Sequence, residues 1–118
     1  MSDTDLFADL ADSAVHSLDT LLNIRDAATY LVRVEGDSME GAGIFSGDIL
    51  VVSKAAEPVR GNIVIAVING EPMCKCLDYS GVMPVLRSEN PRYATRYVLE
   101  GEEFSVWGVV THCLRSHN

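Results

Sequence analysis

The stretch IVIAVINGEPMCKCL, residues 63–77, decides the fold. IVIAVI (63–68) is aliphatic throughout and mostly β-branched, with the length of a buried strand and far short of the ~20 residues a membrane-spanning helix needs. Asn69-Gly70 then supplies two residues that tolerate positive φ, the demand of a two-residue hairpin turn. EPMCKCL carries the chain back as a second strand. The stretch predicts an antiparallel hairpin.

The same texture extends outward. From Tyr30 onward, short β-branched runs alternate with Gly, Pro, Asn and Asp, and strands are predicted near 29–35, 48–53, 62–68, 71–78, 82–87, 96–98 and 104–113. SGD (46–48), EPVRGN (57–62), SENPRY (88–93) and EGEE (100–103) punctuate them. The expectation is a mainly β domain of antiparallel strands and hairpins over 29–118. Residues 1–28 form an acidic N-terminal arm, with Asp3, Asp5, Asp9, Asp12 and Asp19 spaced among Leu6, Phe7, Leu10, Val15, Leu18, Leu21 and Leu22. That spacing permits a short amphipathic helix with Thr4 or Ser13 as N-cap, or an arm that packs only against a partner.

At 118 residues the chain is read as a single domain, large enough to bury roughly 60% of its unfolded surface. The net charge of −8 argues against direct grip on DNA or RNA, which rests on Lys and Arg, and against an anionic membrane surface. Work near nucleic acid would then pass through a protein partner. The opening MSDTDLFADLADSA lacks the basic segment of a secretion signal. Three cysteines, Cys74, Cys76 and Cys113, make no disulfide framework. Cytoplasmic residence is the expectation.

Ser38 stands in GDSM (36–39), where a strand runs into a Gly-containing turn. Such a serine can simply satisfy its own turn backbone. It can also be a nucleophile, with neighbouring N–H groups aimed at one point as an oxyanion hole requires. A nucleophilic serine needs a base. His16, His112 and His117 have no orienting carboxylate nearby in sequence. Of the two lysines, Lys54 follows a strand among AAEP, whereas Lys75 shares a strand face with Met73 and Leu77. Apolar neighbours lower an amine's pKa and can leave it neutral; alternatively Lys75 keeps a strand edge soluble. Cys74 and Cys76, on the other face, are poorly placed for a mutual disulfide. No standard zinc spacing is present, so no metal or cofactor is assigned.

VEGDSMEGAGIFSGDILVV, GNIVIAVINGEPMCKCL, ENPRY and VWGVVTH together resemble the self-cleaving serine peptidase domain of LexA-type repressors and UmuD-type mutagenesis proteins, most nearly the UmuD type. The resemblance runs from about Leu18 to the C-terminus, with Lys75 on the strand after N-G-E at that family's Ser–Lys separation. It implies the LexA/UmuD C-terminal-type β fold, Ser38 as nucleophile, Lys75 as general base, and the amides of Asp37 and Ser38 as oxyanion donors. It also implies an SOS mutagenesis role as accessory subunit of an error-prone Y-family polymerase in translesion synthesis. The implied partners are a second copy of the chain, a UmuC-like polymerase subunit and a RecA–single-stranded DNA filament. For the dimer, VWGVVTHCL (106–114) is a candidate seam or an ordinary core strand.

In that family the filament stimulates the dyad to cut a Cys-Gly or Ala-Gly bond in an upstream arm. Aligned on the motif, the bond would fall near Ser2–Asp3, which does not match, and Ala42–Gly43 lies inside the β body. The chain is therefore expected to be a form beginning at or just past the cleavage point. Two alternatives accompany the subunit reading: a peptidase cutting a full-length relative in trans, and the dimerisation half of a phage-type repressor.

Overall fold

The computed structural model describes residues 17–117. The arm's caps Thr4 and Ser13, and His16, lie outside the described residues. A single helical turn, α1 (Leu18–Leu22), follows Ser17 and ends at Asn23 in the left-handed region (φ 57°). Asn23 N–H donates to the Thr20 carbonyl at 3.3 Å and Ile24 N–H to that of Asp19 at 3.1 Å. So short a helix is marginal without packing, and only Leu22 of α1 is buried.

Seven strands follow: β1 (Thr29–Arg33), β2 (Ile49–Ser53), β3 (Ile63–Ile68), β4 (Glu71–Ser80), β5 (Met83–Arg87), β6 (Arg96–Tyr97) and β7 (Phe104–Leu114). They form one antiparallel sheet in the order β1-β2-β7-β3-β4-β5-β6. The expected mainly β, antiparallel class is what the chain adopts, and each predicted strand lies within two residues of an observed one. Asn69 (φ 52°) and Gly70 (φ 82°) both take positive φ in the β3–β4 turn, as the Asn-Gly pair demands. Asn69 also ties the turn down, its N–H donating to the Glu103 carbonyl at 2.8 Å.

β7 runs through the middle, hydrogen-bonded to β2 on one edge and β3 on the other, and each ladder slips by a residue. At Gly108, between them, a Cβ would stand 2.6 Å from Val52 Cγ1 and 2.9 Å from the Ser53 carbonyl oxygen. Only a missing side chain lets the strands close there.

Two apolar layers cover the sheet. One gathers Val64, Ala66, Ile68, Leu77, Leu86, Val98 and Val109. The other gathers Met39, Ile44, Leu50, Val52, Ile65 and Cys76. β3 feeds alternate residues to both, which explains why IVIAVI is continuous rather than alternating. Each fully buried Val, Leu or Ile contributes about 1.5–3 kcal/mol, against about 0–1 for an exposed ion pair. The layers, not the surface charges, hold the fold together.

Candidate functional site

The turn after β1 is anchored from behind. Met39 and Ile44 sink into the second layer, and both the Ala42 and Ile44 N–H groups return to the Met39 carbonyl, at 3.0 and 3.2 Å. Gly36 (φ 91°) permits the reversal that leads in. Ser38 is left half-buried on the turn beside this anchor. Behind the turn, Asp48 is buried at 1% exposure. It accepts from Arg115 through both carboxylate oxygens at 2.8 Å, and from Phe45 N–H at 2.8 Å. Arg115 also donates to the Gly43 carbonyl at 2.7 Å, so the end of the chain braces the turn.

Lys75 arrives from β4. The β4–β5 ladder stops at Cys76↔Arg87, whereas β3 continues to pair with β4 as far as Glu71. Residues 71–75 therefore keep one edge without a strand partner among the described residues. Ser38 and Lys75 both line a cavity of about 200 Å³, together with Val34, Glu35, Gly36, Met39, Pro72, Met73 and Cys74. A neighbouring cavity of about 310 Å³ shares five of those residues and adds Val32, Arg33, Leu50 and Ile65. The result is a mostly apolar groove with a serine and a lysine at one end.

Burial pushes the Lys75 amine below its usual value of 10.5, and only a charged Cys74 thiolate would oppose it. Cys74 is itself pushed up by burial to about 11, so it is a neutral thiol at neutral pH. Lys75 Nζ donates to Ser88 Oγ at 2.6 Å and lies 5.4 Å from the centroid of the Tyr93 ring. The Ser38 backbone N–H makes no hydrogen bond within the described residues. Asp37, its companion in the sequence reading, does not line the cavity. Its carboxylate is turned instead to Tyr93 Oη and Arg92, and the Tyr93 hydrogen bond is the largest influence holding its pKa down.

The other candidates fall elsewhere. His112 is exposed on β7 against Thr111, and no described histidine lines the serine's cavity. Lys54 lies over the Tyr30 ring. Cys74, Cys76 and Cys113 are free thiols. Among the described residues, no group of three or more His, Cys, Asp or Glu side chains could hold a metal ion. No helix among them is long and apolar enough to cross a membrane.

Residues 5–111 match the Peptidase S24-like family. The chain belongs to that family. Its relatives include protein SamA of Salmonella typhimurium, 46% identical over 87 residues, which are 74% of this chain and 59% of SamA. Protein ImpA of Escherichia coli is 42% identical over 93 residues, 76% of this chain and 61% of ImpA. The LexA repressor of Cupriavidus necator is 41% identical over 87 residues, 74% of this chain and 40% of the repressor. The alignments thus span about three fifths of SamA and ImpA. Family membership agrees with the resemblance seen in the GDSM, NGEPMCKCL and ENPRY segments.

Sequence reading missed Ser88, Asn90, Arg92 and Tyr93 as part of the site's surroundings. The signals were their clustering in one polar segment between β5 and β6 and the place of ENPRY (89–93) among the segments that carry the resemblance.

Proposed function

We propose that this chain is a UmuD-type protein of the SOS response, an accessory subunit of an error-prone Y-family polymerase, with a Ser38–Lys75 peptidase site of the LexA type. One observation carries the peptidase half: the serine of the turn and a lysine of lowered pKa border the same groove. In the reaction, neutral Lys75 takes the proton of Ser38 Oγ as that oxygen attacks the scissile carbonyl carbon. The developing oxyanion is met by the Ser38 N–H, and Asp37 N–H is the second expected donor. The protonated lysine then gives its proton to the departing amine. Water, deprotonated by Lys75, hydrolyses the resulting ester and returns the serine.

The edge of β4 beside the groove, without a strand partner among the described residues, suits a substrate segment that adds as a strand. Val32, Val34, Leu50 and Ile65 along it suit small apolar side chains. Net charge −8 fits contact with protein partners, a polymerase subunit and a RecA filament in the cytoplasm, rather than with DNA itself. A homodimer belongs to the same reading. β7 pairs with β3 over 104–109 and with β2 over 109–114, so 110–114 keep one edge without a strand partner among the described residues. That edge, with the exposed face that carries Trp107 (49% exposed), is what the strand would contribute.

The test uses a full-length relative such as SamA, its own nucleophile replaced, as substrate in trans. Cleavage by the wild-type chain, absent with Ser38→Ala and with Lys75→Ala, is the expected result; equal cleavage by all three overturns the dyad. Co-purification with a Y-family polymerase subunit tests the accessory role, and its failure under native conditions counts against it. The match to LexA repressors favours a second reading, a repressor's dimerisation half. A stable dimer that captures no polymerase subunit would select it.

A further inference from the structure

The segment 88–93 touches Lys75 and the turn that carries Ser38, and neither role assigned so far uses it. Ser88 lies one step beyond the last β4–β5 pair, Cys76↔Arg87, which sets it directly across from Lys75. Its Oγ accepts from Lys75 Nζ at 2.6 Å. Two residues on, Asn90 Nδ2 donates to the Asp37 carbonyl oxygen at 2.9 Å. Between them Glu89 offers its carbonyl to Gly41 N–H at 2.6 Å. Arg92 and Tyr93 then hold the Asp37 carboxylate, and the face of Tyr93 lies toward Lys75.

Two consequences follow from elementary geometry. A neutral amine has two N–H bonds and one lone pair. An N–H committed to Ser88 limits where that lone pair can point, and fixing it toward Ser38 is what a base requires. Likewise, in a trans peptide the carbonyl and the following N–H point in opposite directions. Asn90, gripping the Asp37 carbonyl from the side of the 88–93 segment, turns the Ser38 N–H away from it. That N–H has no hydrogen-bond partner among the described residues and is available to an oxyanion.

We propose that Ser88 and Asn90 are positioning residues of this site: Ser88 orients the Lys75 amine, and Asn90 sets the peptide whose N–H receives the oxyanion. The proposal rests on reading Ser38 and Lys75 as nucleophile and base. Ser88 acts through the Lys75 amine it holds and Asn90 through the Asp37–Ser38 peptide.

The chain holds only two lysines, Lys54 and Lys75, so selective 13Cε-lysine labelling gives two resonances, assigned with Lys54→Arg. In Ser88→Ala the ammonium loses an acceptor, which disfavours the charged form. The Lys75 titration midpoint moves down while that of Lys54 stays, and Ser88→Thr restores it. An unchanged Lys75 titration in folded Ser88→Ala overturns the role of Ser88. This readout needs no cleavage, so it stands apart from the dyad, whose own failure shows as cleavage surviving in Ser38→Ala. With the nucleophile-replaced relative as substrate, Ser88→Ala loses about tenfold to a hundredfold in kcat and Ser88→Thr recovers it. Loss as complete as in Ser38→Ala, unrescued by Thr, overturns positioning. Asn90→Ala lowers kcat by a similar factor with KM unchanged; a change confined to KM, or no change, overturns the role of Asn90.

Discussion

Replacing Gly41 with alanine tests how tightly the serine turn is held to the segment beside it. Gly41 N–H donates to the Glu89 carbonyl at 2.6 Å. A Cβ there would overlap that carbonyl oxygen and stand 3.2 Å from its carbon and 3.5 Å from Glu89 Cβ. Comfortable carbon contacts lie at about 3.5–4.0 Å, so the two segments must separate by something on the order of 1 Å. The obstacle is backbone, and no rotamer change relieves it. Overpacking of this kind costs about 1–3 kcal/mol, and the stretched hydrogen bond about 1 more. Stiffening of the unfolded chain returns about 0.4–1 kcal/mol. Gly41→Ala is therefore expected to lose about 1–3 kcal/mol in urea unfolding, followed by the single tryptophan, Trp107. The same separation draws Asn90, Arg92 and Tyr93 off Asp37, and a displacement of about 1 Å at a reacting group costs about a hundredfold in rate. Stability within about 0.5 kcal/mol of wild type together with undiminished cleavage in trans would refute the reasoning.

Cleavage should rise with pH through a midpoint below the ordinary lysine value of 10.5, because only the neutral amine is a base; Lys75→Arg, which cannot lose its proton, should abolish it at every pH. Gly108→Ala places a Cβ 2.6 Å from Val52 Cγ1 and should cost about 1–3 kcal/mol in the same unfolding assay without changing the pH profile of cleavage. Asp48 is held well below the usual carboxylate range by Arg115 and the Phe45 N–H. A depressed carboxylate gives stability that is complete above its unfolded value of 3.8 and is lost as pH falls below it. The thermal midpoints of wild type and Asp48→Asn should therefore differ most near neutrality and converge on acidification below that value.

The strands were legible because each has a local signature. Asn69-Gly70 fixed one turn, and the continuous IVIAVI announced a strand with both faces buried, as β3 is. The pairing of Ser38 with Lys75 was legible only through resemblance, since nothing in a turn serine or a strand lysine specifies the other. What escaped was long-range and polar. Asn90 reaches Asp37 across 53 residues, and Arg115 reaches Asp48 across 67. Such contacts follow no period of 2 or 3.6. They exist because segments remote in sequence meet in the fold: the 88–93 segment at the serine turn, and the residue after β7 at the residue before β2. The slips along β7 were equally hidden, although Gly108 in an apolar run marks where they sit. The seam-or-core question for 106–114 stays open: the stretch pairs with β3 up to Val109 and with β2 from Val109 onward, so 110–114 keep one edge without a strand partner among the described residues. The division at residue 28 stays an expectation.

The most direct test of the Ser38–Lys75 account is covalent capture. A fluorophosphonate loses fluoride to an activated serine oxygen and leaves a stable phosphonate ester, which peptide mass spectrometry locates. The account predicts one modified serine, Ser38, in the wild-type chain, with labelling strongly reduced in Lys75→Ala and retained at a lower rate in Ser88→Ala. Labelling on Ser88 instead, or labelling of Ser38 as fast without Lys75 as with it, would contradict it.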